Sequence, residues 1–162
     1  MDLNQLLQAE PLIPHRRRMR LIEWVNRMTR NGLEAGTTVS EGWPLNRDGM
    51  VDSLICIELV AQAIAALSTW RRGEGAGPRL GLLVGIKEAE FSKSSVPVGT
   101  RLNIQISELS HVGDYAVFEG KVRSDLDSFC KTIIQVMEPE EEMLSNLKTQ
   151  RKTNPGEKEG KD

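Results

Sequence analysis

Residues 53–69 read SLICIELVAQAIAALST, and this stretch decides the fold. Apolar side chains occur on nearly every side of a 3.6-residue repeat. A surface helix would show a wide polar face, so this helix is expected to be buried on most sides. Asp52 or Ser53 can cap its start, and Trp70-Arg71-Arg72 ends it before the flexible stretch GEGAGP at residues 73–78. Downstream the periodicity changes to two. Residues 80–91, 101–109, 115–123 and 129–137 read as strands, most cleanly where Leu102, Ile104 and Ile106 alternate with polar neighbours. Gly81 and Gly85 are expected to mark close approach or bulging in the first of these. Turns are expected at 94–99, 111–114 and 124–128.

Upstream, residues 19–28 and 33–40 form a second pair of strands, joined at Asn31-Gly32, a strong hairpin signal. Residues 3–9 suggest a short helix, and 41–52 (EGWPLNRDGMVD) a loop. The order is strand, strand, apolar helix, then about four antiparallel strands. A sheet with one apolar face needs a cover, and only one helix here can supply it. The predicted class is α+β, with an antiparallel sheet wrapped around one long apolar helix.

The chain has 162 residues, which suits a single domain. Hydrophobic residues make up 39% and charged residues 27%, a balance that can build a core. The expected domain is 1–137; residues 138–162 turn charged and polar and are expected to be a flexible tail. A net charge of -2 and 4% aromatic residues argue against a general nucleic-acid binder. Cys56 and Cys130 stand apart in apolar segments, which fits a reducing cytosol and not a disulfide framework. With only His15 and His111 as histidines, no metal site is expected. No signal peptide or membrane span is read, and no cofactor motif appears.

Glu58 is the one charged side chain between Asp52 and Arg71. Burial of a carboxylate on such a helix should raise its pKa, which makes Glu58 a candidate general acid or base. It could equally face a solvent gap or a dimer seam, or pair with an arginine. His15, just before the first long strand, suits proton transfer near neutrality, but a lone histidine is often a surface or capping residue. Arg16, Arg17, Arg18 and Arg20 form a basic run that could meet phosphate or an acidic partner, or simply be solvated. His111 falls in an expected turn and carries little weight.

These residues resemble a known family. Leu12-Ile13-Pro14-His15-Arg16, with Met19 to Ile22 behind it, is similar to the L-P-H-R-x-P-M-L-L-[VI]-D opening of FabZ-type 3-hydroxyacyl-[acyl-carrier-protein] dehydratases. Ile57-Glu58-Leu59-Val60-Ala61-Gln62-Ala63 resembles that family's I-E-A-x-A-Q-A helix. Leu83 to Phe91 and Val96 to Leu102 resemble its G-I-D-x-x-R-F and V-x-P-G-D-x-L segments. The match runs in order over roughly residues 11–137, and its variant pattern most resembles the ApeP-like homologues.

The resemblance implies a hotdog fold, in agreement with the wrapped sheet. It implies a cytoplasmic homodimer, or a heterodimer with a paralogue, whose tunnels lie at the subunit interface. It also implies an acyl thioester of acyl carrier protein or CoA, of the kind used in fatty-acid biosynthesis, and loss of water to a trans-2-enoyl product. Glu58 takes the place of the helix carboxylate. Gln62, Gly49 and Arg16 are the expected substrate-binding residues. No cofactor, nucleic acid or membrane is implied.

One departure is large. The family's catalytic histidine lies in G-H-F-P ahead of the helix, where this chain has Glu41-Gly42-Trp43-Pro44-Leu45-Asn46. Counting back from Glu58 places Pro44 there, and aligning Trp43-Pro44 places Gly42 there; neither carries an imidazole. Either His15 replaces the base, or the chain is a degenerate acyl-binding or heterodimer-partner subunit. A hotdog thioesterase, with Glu58 activating water, is the remaining alternative. A His15–Glu58 separation of about 4–8 Å would leave room for substrate between them.

Overall fold

The computed structural model describes residues 7–73, 75–79 and 81–139. Its elements are β1 (Leu7–Gln8), β2 (Trp24–Thr29), β3 (Gly32–Thr38), β4 (Asn46–Arg47), β5 (Met50–Asp52), α1 (Ile55–Arg71), β6 (Leu82–Phe91), β7 (Ser95–Pro97), β8 (Arg101–Val112), β9 (Tyr115–Arg123) and β10 (Ser128–Met137). Two 3₁₀ turns, Glu10–Leu12 and Arg17–Met19, lie between β1 and β2.

Seven strands form one antiparallel sheet in the order β1-β2-β3-β8-β9-β10-β6. The alternation of two sends one set of side chains onto α1. Leu33 pairs with Ile106, Ala35 with Ile104 and Thr37 with Leu102, and all six are buried. From α1, Leu59, Val60, Ala63 and Leu67 fill the concave side and are fully buried. The wrapped-sheet expectation therefore holds, and the arrangement is the hotdog fold.

The sheet comes so close to α1 at β9 that one position there excludes a side chain. A Cβ on Gly120 would sit 2.5 and 2.6 Å from the two methyl carbons of Val60. Gly120→Ala is expected to cost about 1–3 kcal/mol of unfolding free energy, as overpacked cores do. Adding Val60→Ala should recover part of that loss. Urea denaturation of the single and double variants measures both; equal stability of Gly120→Ala and the parent would refute this packing.

A stripe of α1 escapes the sheet. Leu54 just ahead of the helix is 58% exposed. Ile57, Glu58, Ala61, Ala65 and Ser68 are half-buried, at the three- and four-residue steps of one helix face. Among the described residues the outermost strand β6 hydrogen-bonds only to β10, and it exposes Leu83 (44%), Val84 (42%) and Ile86 (50%). Apolar groups on an unpaired strand edge invite a partner.

The structure differs from the sequence reading at several boundaries. The expected helix at 3–9 is, in its described part, a strand: Leu7 and Gln8 pair with Val25 and Trp24. The strand expected from residue 19 begins at Trp24, because Arg17 adopts a left-handed φ of 55° and 17–19 form a tight turn. The loop 41–52 and turn 94–99 contain β4, β5 and β7, which form a separate three-stranded sheet. Strands of two or three residues are too short to show a period. Asp52 does bond near the helix start, its Oδ1 accepting from the Leu54 N–H at 2.9 Å, while Ser53 Oγ is buried without a partner. Most of the expected tail, residues 140–162, lies outside the described residues.

Candidate active site

Glu58 lies in the first turn of α1, and Gln62 lies one turn further on along the same face. Gln62 is fully buried, and a buried amide must find partners for all its polar groups. Its Oε1 accepts from the backbone N–H of Leu21 at 2.9 Å and of Ile22 at 3.4 Å. Its Nε2 donates to the Met19 carbonyl at 2.6 Å and to Glu58 Oε1 at 2.8 Å. The backbone at 19–22 belongs to no strand, so its groups have no ladder to pair with. Gln62 supplies that pairing from the helix. On the other side Thr37 Oγ1 donates to the Leu21 carbonyl at 2.5 Å.

The same irregular segment delivers His15. Ile13 is fully buried and anchors the segment, while Arg16 folds back so that Nη1 donates to the carbonyls of Ile13 (2.5 Å) and His15 (2.8 Å). His15 Nε2 then lies 3.2 Å from Glu58 Oε1, with the two side chains 29% and 32% exposed. Nε2 and Gln62 Nε2 converge on one oxygen. A carboxylate oxygen only accepts, so the His15 Nε2 hydrogen faces Oε1, and His15 Nδ1 is buried without a partner. Glu58 Oε2 makes no hydrogen bond or ion pair among the described residues.

Burial pushes the Glu58 carboxyl up, as expected from the sequence, but it does not win. The hydrogen bonds from His15 and Gln62, with the favourable charge of His15, hold it below the ordinary glutamate range. Glu58 in the single chain is an oriented carboxylate.

Of the other expected site residues, only Gln62 is bonded to the Glu58 carboxylate among the described residues. Arg16 spends its guanidinium on its own segment, with Glu10 O as a further acceptor at 3.5 Å. Gly49 takes a left-handed φ of 82° in the β4–β5 turn; its N–H donates to Asn46 Oδ1 at 3.2 Å and its carbonyl accepts from Val98. Gln62, expected to touch substrate, has its whole amide committed to the protein. Arg20 pairs with Glu10 at 2.9 Å and Arg18 reaches the Gly42 carbonyl at 3.4 Å, so the basic run is partly spent internally. The His15–Glu58 contact is shorter than the spacing that would admit a substrate between them. Among the described residues, five surface cavities are lined by neither His15 nor Glu58.

Two features were not read from the sequence. Cys56 and Cys130, far apart in the chain, are buried free thiols that influence each other. Their contact and burial push the Cys56 thiol up. Arg71 pairs with Glu108 at 2.5 Å beside His111, at one wall of a cavity of about 210 Å³. No spacing rule joins residues so far apart in the chain. Among the described residues no group of three or more His, Cys, Asp or Glu could hold a metal ion, and no helix is long and apolar enough to cross a membrane.

A family model, described as ApeP dehydratase, matches residues 7–148. The chain belongs to the ApeP-like dehydratase family. Among solved structures, this ApeP-like chain is similar to a chain of the dehydratase heterocomplex ApeI:P from Xenorhabdus doucetiae, with 27% identity and a TM-score of 0.79, over 88% of this chain and 98% of that one. A hypothetical thioesterase with coenzyme A from Streptococcus pneumoniae shares the fold at 16% identity and TM-score 0.56, covering 71% and 84%. So does an uncharacterised protein from Pyrococcus horikoshii, at 18% and 0.58, covering 82% and 98%. No curated protein matches the ApeP-like chain.

Proposed function

We propose that this ApeP-like chain is one subunit of a 3-hydroxyacyl-thioester dehydratase, and that it contributes Glu58 to a site completed by a second hotdog subunit. The observation that carries this reading is the carboxylate of Glu58 held by His15 and Gln62 on the uncovered stripe of α1, with Oε2 left free. A second subunit laid along β6 and that stripe would roof Glu58 and enclose a channel over it. The heterocomplex ApeI:P, to which this chain is similar, supports a paired arrangement.

In the reaction a base takes the C2 proton of the acyl thioester. The C3–O bond breaks, and the leaving hydroxyl takes a proton to depart as water. Glu58 Oε2 would bind that hydroxyl and supply the proton. In the open chain its carboxyl is held low and is a poor acid. Closure of the second subunit would strip water from Oε2 and push the carboxyl up toward the range of a general acid. His15 Nε2 stays against Oε1 and steadies the pair. An acyl carrier protein or CoA would present the thioester, and the site needs no cofactor.

The missing loop histidine favours a specific form of this reading. The loop at 41–46 offers no imidazole, and His15 is already engaged with Glu58. The base would then come from a histidine-bearing paralogue, and a homodimer would be an acyl-binding form of low activity. The test is hydration of enoyl thioesters, on CoA and on acyl carrier protein, by the chain alone and mixed with such a paralogue. Turnover that rises on mixing is expected. Equal turnover by the chain alone would assign the base to His15. Thiol release without hydration would mean a thioesterase, and no turnover in any pairing would overturn the dehydratase reading.

A further inference from the structure

We propose that Gln62 is a positioning residue that decides which oxygen of Glu58 meets the substrate. The consequence for catalysis rests on the dehydratase reading; the geometry does not.

An amide has a donor end and an acceptor end, and its environment chooses between the two orientations. Here there is no choice. Oε1 of Gln62 faces two backbone N–H groups, those of Leu21 and Ile22, and can only accept. The opposite end faces the Met19 carbonyl, which can only accept, so Nε2 must be there. The remaining hydrogen of Nε2 points at Glu58 Oε1 at 2.8 Å. The orientation is set by main chain, not by the carboxylate it serves.

The effect passes to Glu58. Oε1 receives Gln62 Nε2 and His15 Nε2 together and is kept as an acceptor. A proton on Glu58 is therefore directed to Oε2, the oxygen with no partner among the described residues. One buried amide thus does two things. It closes the backbone of 19–22, the segment that follows His15, and it selects the reactive oxygen. His15 is the one titratable side chain found against Glu58 among the described residues. A change at Gln62 consequently has a clean reporter in the carboxyl of Glu58.

Two variants test this, with carboxylate NMR on glutamate-labelled protein to follow Glu58, its signal identified by loss in Glu58→Gln. Gln62→Met removes both donors. Gln62→Glu keeps the acceptor for Leu21 and Ile22, but it sets a carboxyl oxygen against both the Met19 carbonyl and Glu58 Oε1. In both, the Glu58 titration midpoint should rise by about one to two pH units, the size of a lost hydrogen bond to a charged group. In the active pairing, kcat should fall about 10- to 100-fold with KM little changed. A residue that only braces the fold would lower the unfolding midpoint and leave the Glu58 titration where it was in the uncharged variant, and that result in folded Gln62→Met overturns the proposal. A moved titration in a protein whose parent has no turnover in any pairing would support the role of Gln62 and overturn the dehydratase reading alone.

Discussion

Glu58→Gln should lower turnover of the dehydratase assembly by about 10²–10⁴-fold, the usual contribution of a general acid or base. The substitution is nearly isosteric. A glutamine oxygen at the Oε1 position still accepts from Gln62 Nε2 and His15 Nε2, so the helix, the 19–22 segment and His15 should stay in place. What disappears is the proton at Oε2. Stability measured against pH gives an independent check. The folded-state carboxyl of Glu58 is held below its unfolded value of about 4.3. Its contribution to stability is therefore present above that value and lost as the pH falls through the lower folded value. Glutamine does not titrate. The stability advantage of the parent over Glu58→Gln should thus shrink on acidification, as read by urea unfolding across a pH series. A variant that keeps full hydration activity would remove Glu58 from the mechanism.

Ile86→Lys should weaken assembly with a second subunit by about 30-fold or more, the effect of losing a central apolar contact. Ile86 lies on the edge strand β6, which pairs only with β10 among the described residues, and is half exposed, so a lysine there can reach water without disturbing the core. In an assembly that covers β6, the same ammonium would be stripped of solvent. Sedimentation of the parent and variant, alone and with a paralogue, measures the change. Turnover should fall in parallel and recover at high subunit concentration, because Glu58 itself is untouched. Unchanged assembly would move the partner to another face and leave the roof over Glu58 without a source.

Much of the fold was legible because its signals are local. A helix places residues four apart on one face whatever surrounds it, so Glu58 and Gln62 could be paired from spacing alone. Strands β8 and β9 alternate over nine or more residues, long enough for a period of two to be read. The failures occurred where the signal is short or absent. β4, β5 and β7 have no period to detect, and the segment at 17–23 departs from the strand pattern because of one left-handed residue, Arg17. The pKa of Glu58 went the other way from expectation for a related reason. Burial was foreseeable, but two donors arriving on one oxygen were not.

The amino-acid sequence alone determined a buried helix, an antiparallel sheet to wrap it, and a solitary carboxylate with a glutamine one turn away. These follow from periodicity and from the cost of leaving apolar surface in water, and both act within a few residues. Tertiary structure alone decided that His15 comes against Glu58, that Gln62 gives its amide to the backbone of 19–22, and that β6 forms the outer edge of the sheet. Those contacts join segments some forty residues apart through backbone of no regular form, and their geometry exists only once the sheet has closed around the helix.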